Sequence, residues 1–397
     1  MYKIYENGID FINDNINILS SDPINLAFFV VDAKLITDFS RNNYIIKVYD
    51  DKSFMFLLYM NSFGLMLYGD MKLCPFAVEV LRNHNLQFDK ILCEEKLGEC
   101  FLKEYEKIYG GSHTVSFAFD ILKCDEVKEC DTKEVVPAKI SDCSNIYVLN
   151  KKFVQEALGD DLSDYISFSK RYANDYMNYK LIIENNNIKA MAKRRDVLNI
   201  SSISNVYTSI DSRGLGYATK IVTALTLDIL KSNKIPYLYV DKSNPISNHI
   251  YKNIGYKYYS SKSEFKYDCS SIKTIELALG DSKKFIELLK NLSINYIISG
   301  YTISLENEKK VKRNSVLIEY DENKVDVVDI LDVYFDFIDP HDGNGQYENR
   351  GSYYTCAIFS NDNKAIIHSK SVLRLFEEYG ENKVYVPIMN SVVFFNE

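Results

Sequence analysis

The sequence predicts a protein of several α/β domains with mixed sheets (α/β, α+β), and three observations support this fold class. The chain has 397 residues, which is too many for one ordinary hydrophobic core. Apolar residues make up 46% of it and are spread along its length, which indicates a folded protein. Strand-like stretches rich in β-branched and aromatic residues alternate with helix-like stretches, as in layered α/β domains.

Composition excludes several classes of partner. The net charge is −8 and the chain lacks a dense basic cluster, so neither nucleic acid nor an anionic membrane is expected as a partner. No apolar run is long enough to span a bilayer, and no signal-peptide core follows the N-terminus, so we expect a cytoplasmic protein. The eight cysteines form no C-x-x-C pair and there are only five histidines, so no metal site is expected.

The first segment, residues 1–130, has strand-like stretches at 44–48, 54–60, 65–68, 90–93 and 114–122. Helix-like stretches at 75–83 and 97–108 lie between them. The polar residues 124–134 then predict a linker. This alternation predicts a layered α/β domain.

The second segment, residues 131–270, contains a predicted hairpin. Two apolar runs flank Asn185, Asn186 and Asn187, and asparagine tolerates the left-handed backbone of such turns. A strand at 202–207, a helix at 218–231, a strand at 235–240 and a short helix at 247–253 follow. In the third segment, residues 271–397, we expect helices at 282–292 and 328–337 and strands at 296–299 and 316–320.

A glycine-rich turn joins a strand to a helix in the second segment, with the residues Arg213, Gly214, Leu215, Gly216, Tyr217 and Ala218. Glycine lets the backbone turn sharply and approach a ligand closely. The unpaired amides of the turn and of the first helical turn, together with the helix dipole, form an anion site suited to a pyrophosphate. The Lys-Ser/Thr pair of a triphosphate loop and the spacing of a dinucleotide loop are absent, so the pyrophosphate of another carrier fits better. A purely structural turn is the alternative.

The turn and its flanks resemble the GNAT superfamily of N-acetyltransferases. The family pattern R/Q-x-x-G-x-G/A is filled by Arg213, Gly216 and Ala218. The residues ahead of it resemble the V-Y-T strand that splays to hydrogen-bond the pantetheine arm, and these are Val206, Tyr207 and Thr208. The pieces behind it resemble the family's L-Y-V-D, N-x-x-S and Y-x-x-x-G-F/Y close, at 238–241, 244–247 and 251–256. The resemblance implies a GNAT fold and acetyl-CoA bound by residues 206–208, by the six residues of the turn and by Asn244.

Acylation of an amine by a thioester needs a neutral amine, a polarised carbonyl and a protonated leaving thiol. The resemblance places Tyr251 at the family's general acid and Asn244 where the cofactor arm is contacted or the strand end is fixed. In a chain with 31 tyrosines, the alternative is that Tyr251 only packs under the sheet. The general base stays open between a water chain and three carboxylates, Asp196, Asp241 and Glu264.

The first segment looks like the first half of a tandem GNAT arrangement that has lost cofactor binding. No glycine-rich turn joins strand to helix there, and residues 69–75 stand at the comparable place. The resemblance implies that this half walls off the acceptor pocket.

The third segment resembles the A-type peptide methionine sulfoxide reductases at residues 299–302, 316–321, 334–340, 344–354 and 356–359. That chemistry needs a cysteine thiolate in a Gly-Cys-Phe-Trp turn. Asp281 stands where the cysteine is required, and the chain contains no tryptophan. Asn314 and Asn349 replace the family's acids, and Tyr354 remains. We expect a catalytically dead relative that binds a ligand, braces the transferase or mediates contacts in a homodimer.

The sequence therefore favours an acetyl-CoA-dependent N-acyltransferase whose acceptor is a small amine, an amino acid or a peptide. Two alternatives remain. One is a non-catalytic acyl-CoA-binding or regulatory protein, and the other is a methionine sulfoxide reductase, which the missing cysteine disfavours.

Overall fold

The computed structural model describes the whole chain except residues 41, 129, 160–163, 244, 269–270, 308, 381–382 and 397. The described residues cluster into two compact units. Unit 1 comprises residues 1–11, 36–116 and 264–397, and unit 2 comprises residues 12–35 and 117–263. The predicted α/β class with large mixed sheets is confirmed.

In the first 130 residues the elements are β1 (Tyr2–Tyr5), α1 (Gly8–Ser21), α2 (Ala27–Ala33), β2 (Asn43–Tyr49), β3 (Phe54–Met60), β4 (Gly64–Gly69), α3 (Cys74–Asn83), β5 (Lys90–Cys93), α4 (Glu95–Tyr109) and β6 (Ser112–Lys123). The next 140 residues, 131–270, form β7 (Val135–Pro137), α5 (Cys143–Leu158), α6 (Tyr165–Asp175), β8 (Tyr179–Glu184), β9 (Asn187–Val197), β10 (Ile200–Thr208), α7 (Tyr217–Lys231), β11 (Ile235–Asp241), α8 (Pro245–Ile254) and β12 (Lys257–Asp268).

The remaining residues form β13 (Ile272–Ala278), α9 (Ser282–Leu288), β14 (Ile294–Glu306), β15 (Lys309–Asp321), α10 (Val327–Phe337), β16 (Gly345–Gln346), β17 (Asn349–Arg350), β18 (Ala357–Phe359), α11 (Asn363–Tyr379), β19 (Ile388–Met389) and β20 (Phe394–Asn396). Three of these helices begin behind an aspartate whose carboxylate accepts a backbone N–H of the first turn, and these caps are Asp281, Asp326 and Asp362.

Unit 1 contains two sheets. Strands β1 to β5 lie in sequence order, with antiparallel pairing up to β4 and parallel pairing between β4 and β5. The second sheet has the order β19-β18-β13-β15-β14-β20. Helices α3 and α4 contribute Leu81 and Phe101 to the core of the first sheet, and α10 contributes Tyr334 to the core of the second.

Unit 2 contains the strand order β6-β11-β10-β9-β8-β7. Because side chains alternate along a strand, its two faces carry different cores. On one face, residues of α7 and α8 pack against Leu238 and Val240 of β11. On the other face, α5 and α6 pack against Leu181 and Met191. Helix α2 also packs on this second face, where Phe28 stacks on Tyr239 with 5.2 Å between the ring centroids.

Candidate functional site

Strands β10 and β11 pair in parallel and then separate. Their register runs from Ile200 opposite Ile235 to Ile203 opposite Leu238 and stops there. Beyond that rung β10 continues to Thr208 against β9, and β11 continues to Asp241 against β6. A bulge in β10 between Ser204 and Tyr207 re-aims the strand. The two strands therefore leave a wedge, in which residues 204–208 have no strand partner on the β11 side among the described residues.

The glycine turn lies directly after the end of β10. Gly214 and Gly216 have φ values of +80° and +78°, which a side chain would strain, and Gly216 precedes the first residue of α7. A Cβ atom on either glycine would meet nothing within 4 Å, so neither is required by packing. The backbone N–H groups of residues 214–219 find no acceptor among the described residues. Unpaired amides at the start of a helix are the feature on which the predicted anion site depends, and that site stays a prediction.

Arg213 is held by neighbours rather than pointing freely into the turn. Its guanidinium donates to the Thr208 carbonyl oxygen at 3.2 Å and to Glu156 at 2.6 Å. Tyr207 donates its hydroxyl to the other oxygen of Glu156 at 2.9 Å. The bond from Arg213 lowers the pKa of Glu156, and the pKa of Arg213 is raised in return. Glu156 therefore fixes the turn to the end of β10.

Sequence reasoning missed Glu156, because the residue lies on α5, 57 positions before Arg213, and belongs to no motif. An acidic residue on the exposed side of a helix carries no signal of its partner. Only the packing of α5 against β9 and β10 brings it to the turn.

Thr208, the last residue of β10, has a side-chain oxygen without a hydrogen-bond partner in the described part of the chain. Its Oγ1 is buried and has no hydrogen-bond partner among the described residues. A buried hydroxyl without a partner costs free energy unless a ligand supplies one. A hydroxyl of this kind at the end of β10 is a group that a polar ligand in the wedge would satisfy.

The remaining residues of the turn differ in how far their side chains are buried. Tyr217 is buried and donates its hydroxyl to Glu184, and this bond raises its pKa to about 12. Leu215 is 58% exposed, and Ala218 is half-buried. Val206 packs at the edge of the same apolar cluster as Tyr217.

Tyr251 lies on α8 in that same cluster and is 8% exposed. Burial raises its pKa to about 12, so the phenol stays protonated over the whole physiological range. Its hydroxyl has no hydrogen-bond partner among the described residues. The structure thus brings Tyr251, Val206 and Tyr217 together on one face of unit 2. Asn244 lies outside the described residues.

The three carboxylates considered as a base each accept a hydrogen bond from a nearby serine. Asp196 accepts from Ser201 at 2.7 Å and pairs with Lys234 at 2.9 Å, at the opposite end of β10 from the turn. Asp241 accepts from the backbone and side chain of Ser243. Glu264 belongs to unit 1, where it accepts from Ser116 at 2.8 Å. Asp241 ends the strand that borders the wedge, but nothing singles it out, so the general base stays open.

In the third segment, the side chains that align with catalytic positions of the reductases form hydrogen bonds to the backbone. Asp281 caps α9 by accepting from the N–H of Lys284 at 3.0 Å. Asn314 donates to the carbonyl of Leu279 at 2.8 Å, and Asn349 donates to that of Gly280 at 3.1 Å. Three side chains thus brace the turn around Gly280. None of them supplies a thiolate.

Cys356 does not replace the missing nucleophile. It is buried in the core of the second sheet, and burial raises the pKa of its thiol to about 12. A neutral, enclosed thiol cannot attack a sulfoxide. No cluster of three metal-binding side chains is present, and no helix is long and apolar enough to cross a membrane, within the part of the chain that the structure describes.

Comparisons with known proteins match two regions of the chain. Residues 182–265 match the model of the FR47-like protein family, and residues 301–396 match that of the peptide methionine sulfoxide reductases. The peptide methionine sulfoxide reductase MsrA of Limosilactobacillus reuteri is 32% identical over 84 residues, which are 20% of this chain and 48% of that protein. The chain thus spans about half the length of the curated relative that it matches.

Solved structures with similar regions come from both groups. A GNAT-family acetyltransferase from Colwellia psychrerythraea is 10% identical, with a TM-score of 0.46, over 68% of this chain and 100% of that one. Methionine sulfoxide reductase A of Corynebacterium diphtheriae is 15% identical, with a TM-score of 0.27, over 30% and 65% of the two chains. The family matches show that the chain carries an FR47/GNAT-like domain followed by a domain similar to the methionine sulfoxide reductases.

Proposed function

We propose that the chain is an N-acyltransferase that moves an acetyl group from acetyl-CoA to an amine carried by a small molecule, an amino acid or a peptide. The wedge between β10 and β11, with the glycine turn beside it, is the observation that carries the proposal. Thr208 Oγ1, which is buried without a partner, and the free space at both glycines support the fit of a polar, anionic carrier.

In the proposed mechanism, different residues bind the cofactor, polarise the carbonyl and protonate the leaving group. Bound acetyl-CoA would supply an activated acetyl thioester. The amides of residues 214–219 would hold its pyrophosphate, while the unpaired edge of residues 206–208 and the Thr208 hydroxyl would bind its arm and polarise the acetyl carbonyl. Tyr251, neutral because its pKa is about 12, would donate a proton to the departing sulfur. Asn244 belongs to the proposed cofactor contacts by resemblance alone.

The other segments are proposed to support this reaction. Residues 1–130 would be a GNAT-like half without cofactor binding, residues 131–270 the transferase, and residues 271–397 a reductase-like domain without reductase activity. Asp281, in place of a cysteine, and the buried Cys356 support the last assignment.

Calorimetric titration with acetyl-CoA, followed by an acceptor screen that detects free CoA thiol, tests the proposal. For Tyr251→Phe we expect unchanged acetyl-CoA affinity and a kcat lower by roughly 10²–10⁴-fold. Tyr256→Phe is the matched control, because its hydroxyl bonds Thr226 in the same core at 2.8 Å, and its kcat should stay close to that of the wild type. Binding of acetyl-CoA without turnover on any amine would instead favour a non-catalytic regulatory protein.

A further inference from the structure

The bulge in β10 has a defined first residue, Asn205. Between the aligned pairs Ser204–Lys193 and Tyr207–Met191, β10 has two residues and β9 has one. Such a two-against-one arrangement bends the strand and re-aims the residues that follow it. The bulge therefore lies directly ahead of the edge of β10 that borders the wedge.

The backbone of Asn205 is left-handed, with a φ of +52°. Residues with a side chain seldom adopt this region, because the Cβ atom comes too close to a carbonyl oxygen. Asparagine adopts it more readily than most residues, because its short amide can hydrogen-bond nearby, and glycine adopts it without steric cost. A non-glycine residue in this conformation persists where the surrounding structure holds it.

Helix α5 supplies the contact that holds Asn205. The side-chain N–H of Asn205 donates to the amide oxygen of Asn150 at 2.7 Å. Asn150 lies in α5 and is 3% exposed, so its oxygen accepts this bond inside the protein. A buried amide oxygen that lost its donor would cost free energy, and this cost favours the bulge as it stands.

Asn150 is itself held firmly, because its neighbours on α5 are anchored. Ile146, one helical turn before it, and Leu149, directly before it, are buried in the core on this face of the sheet. Directly after the bulge, Tyr207 donates its hydroxyl to Glu156, also on α5, at 2.9 Å. Helix α5 thus bonds β10 within the bulge and immediately behind it.

The residues that the bulge re-aims are the ones proposed to bind the acetyl carbonyl. Parallel pairing with β11 stops at Ile203, and Val206 is the second residue of the bulge. Residues 206–208 then form the edge of the wedge. A hydrogen bond to a carbonyl depends steeply on distance and angle, and a misplacement of about 1 Å at a reacting group can cost a large part of the rate.

We propose that Asn150 is a positioning residue for the transfer reaction. By bonding Asn205 it maintains the left-handed backbone of the bulge, and the bulge places the edge of residues 206–208 against the acetyl carbonyl. Asn150 acts through this strand and touches neither the cofactor nor the acceptor. The inference rests on the proposed transferase function and adds a residue to it that belongs to no sequence motif.

Infrared difference spectroscopy with acetyl-CoA that is isotope-labelled at its acetyl carbonyl carbon tests this geometry without an acceptor. A carbonyl that accepts a hydrogen bond absorbs at lower frequency, because polarisation weakens its double bond. The full-length wild type should therefore lower the carbonyl frequency of bound acetyl-CoA relative to the free molecule. Asn150→Ala should lose roughly half of that shift or more.

Calorimetry on the same proteins gives a second measure. Asn150→Ala should weaken acetyl-CoA binding by roughly three- to tenfold, as expected for the loss of one hydrogen bond. Its affinity for CoA, which lacks the acetyl group, should stay within about twofold of the wild type, because the glycine turn is unchanged.

Substitutions at position 205 separate the backbone from the side chain. Asn205→Gly should keep most of the frequency shift, because glycine adopts a positive φ without a bonded side chain, whereas Asn205→Ala should lose it. For the same reason, adding Asn205→Gly to Asn150→Ala should restore the shift, although the hydrogen bond is not restored. If Asn150→Ala does not fold, the two variants of Asn205 decide the test alone.

Tyr172→Phe is the matched control. Tyr172 is buried in the same core as Leu149 and donates its hydroxyl to the Lys139 carbonyl at 2.7 Å. Its substitution removes a hydrogen bond from this core away from the bulge. It should lower stability and leave the frequency of the bound carbonyl unchanged.

Several outcomes overturn the role of Asn150. These are a wild type that does not lower the carbonyl frequency, an Asn150→Ala variant that keeps the full shift, equal behaviour of Asn205→Gly and Asn205→Ala, and an equal loss of the shift in Tyr172→Phe. If the wild type binds neither acetyl-CoA nor CoA, the transferase proposal fails, and the role of Asn150 fails with it.

Discussion

Asp32, a buried carboxylate in the last turn of α2, leads to a prediction about stability at the scale of a single residue. Its pKa is about 6 in the folded chain against an ordinary value of 3.8, so the folded state binds the proton more tightly than the unfolded state. The contribution of this group to stability is fully present below pH 3.8 and is lost as the pH rises to 6. Above pH 6 the wild type carries the full cost of the buried charge.

Asp32→Asn should therefore raise the melting temperature of unit 2 by a few degrees at pH 7.5 and leave it nearly unchanged at pH 3.5. Scanning calorimetry at the two pH values measures the difference. A lower melting temperature at pH 7.5 would mean that the carboxylate has a stabilising partner, contrary to this expectation.

Cys356 allows a second prediction about a single residue. Because its thiol is buried and neutral, iodoacetamide at pH 8 should modify the half-buried Cys130 well before Cys356. Peptide mass spectrometry after timed labelling gives the order.

Methionine sulfoxide should not be reduced in the presence of dithiothreitol, and reduction at a measurable rate would contradict the assignment of a dead reductase-like domain.

Residue types at the candidate site could be read from the sequence, but their partners could not. Arg213 and the two glycines stand in a local pattern, so their neighbourhood in the chain identifies them. Glu156 reaches the turn from 57 positions before Arg213, through packing of α5 against β9 and β10. No local pattern records such distant contacts.

At the scale of elements, the backbone geometry of the glycine turn leads to a testable prediction. Gly216→Ala places a Cβ in the open space before α7, at a φ that costs about 1 kcal/mol for a residue with a side chain. We expect this modest loss of stability together with at least roughly tenfold weaker acetyl-CoA binding, because the methyl group would stand beside the amides that face the ligand.

Gly351→Ala is the matched control, since Gly351 also has a positive φ and free space around its Cβ position but lies in unit 1. Titration calorimetry and denaturant unfolding on both variants separate strain from binding. Equal affinity losses in the two variants would show that the turn has no special part in binding.

The sequence predicted the elements with clear periodicity and missed those without it. The strand at 235–240 and the helix at 328–337 agree with β11 and α10 to within a residue. Helix α1 was missed, because its sequence is interrupted by asparagine, aspartate and serine, which favour caps and turns. The predicted helix at 282–292 ends at Leu288 and continues as a 3₁₀ turn.

At the scale of the whole molecule, sequence order does not determine which segments share a core. The division into residues 1–130, 131–270 and 271–397 stays a prediction. Residues 36–116 and 264–397 belong to one compact unit. Within it, Val393 packs in the core of the first sheet. His84 also bonds the Phe394 carbonyl at 2.8 Å. These contacts join parts of the chain that are about 310 positions apart, and no sequence period or motif spacing predicts them.

A buried ion pair lies among these long-range contacts. Arg82, at the end of α3, bonds both oxygens of Glu319 at 2.7 and 3.1 Å and stacks over the ring of Tyr296 at 3.9 Å. Glu319 is only 2% exposed, and burial raises its pKa, while Arg82 acts to lower it. Each charge loses hydration on folding, and the ion pair offsets that loss. Removing one partner would therefore leave the other charge without compensation.

Arg82→Met should therefore destabilise unit 1 by about 3–5 kcal/mol in denaturant unfolding, and adding Glu319→Leu should recover most of that loss, because an apolar pair of similar volume fills the space. Arg374→Met, which breaks the exposed pair with Glu378, is the control and should change stability by less than about 1 kcal/mol. Recovery in the double variant would show that α3 and β15 unfold together, as expected if residues 36–116 and 264–397 form one cooperative unit. A loss for Arg82→Met as small as that of the control would instead indicate that the two segments unfold independently, and the three-domain division of the sequence would then describe the folding units better.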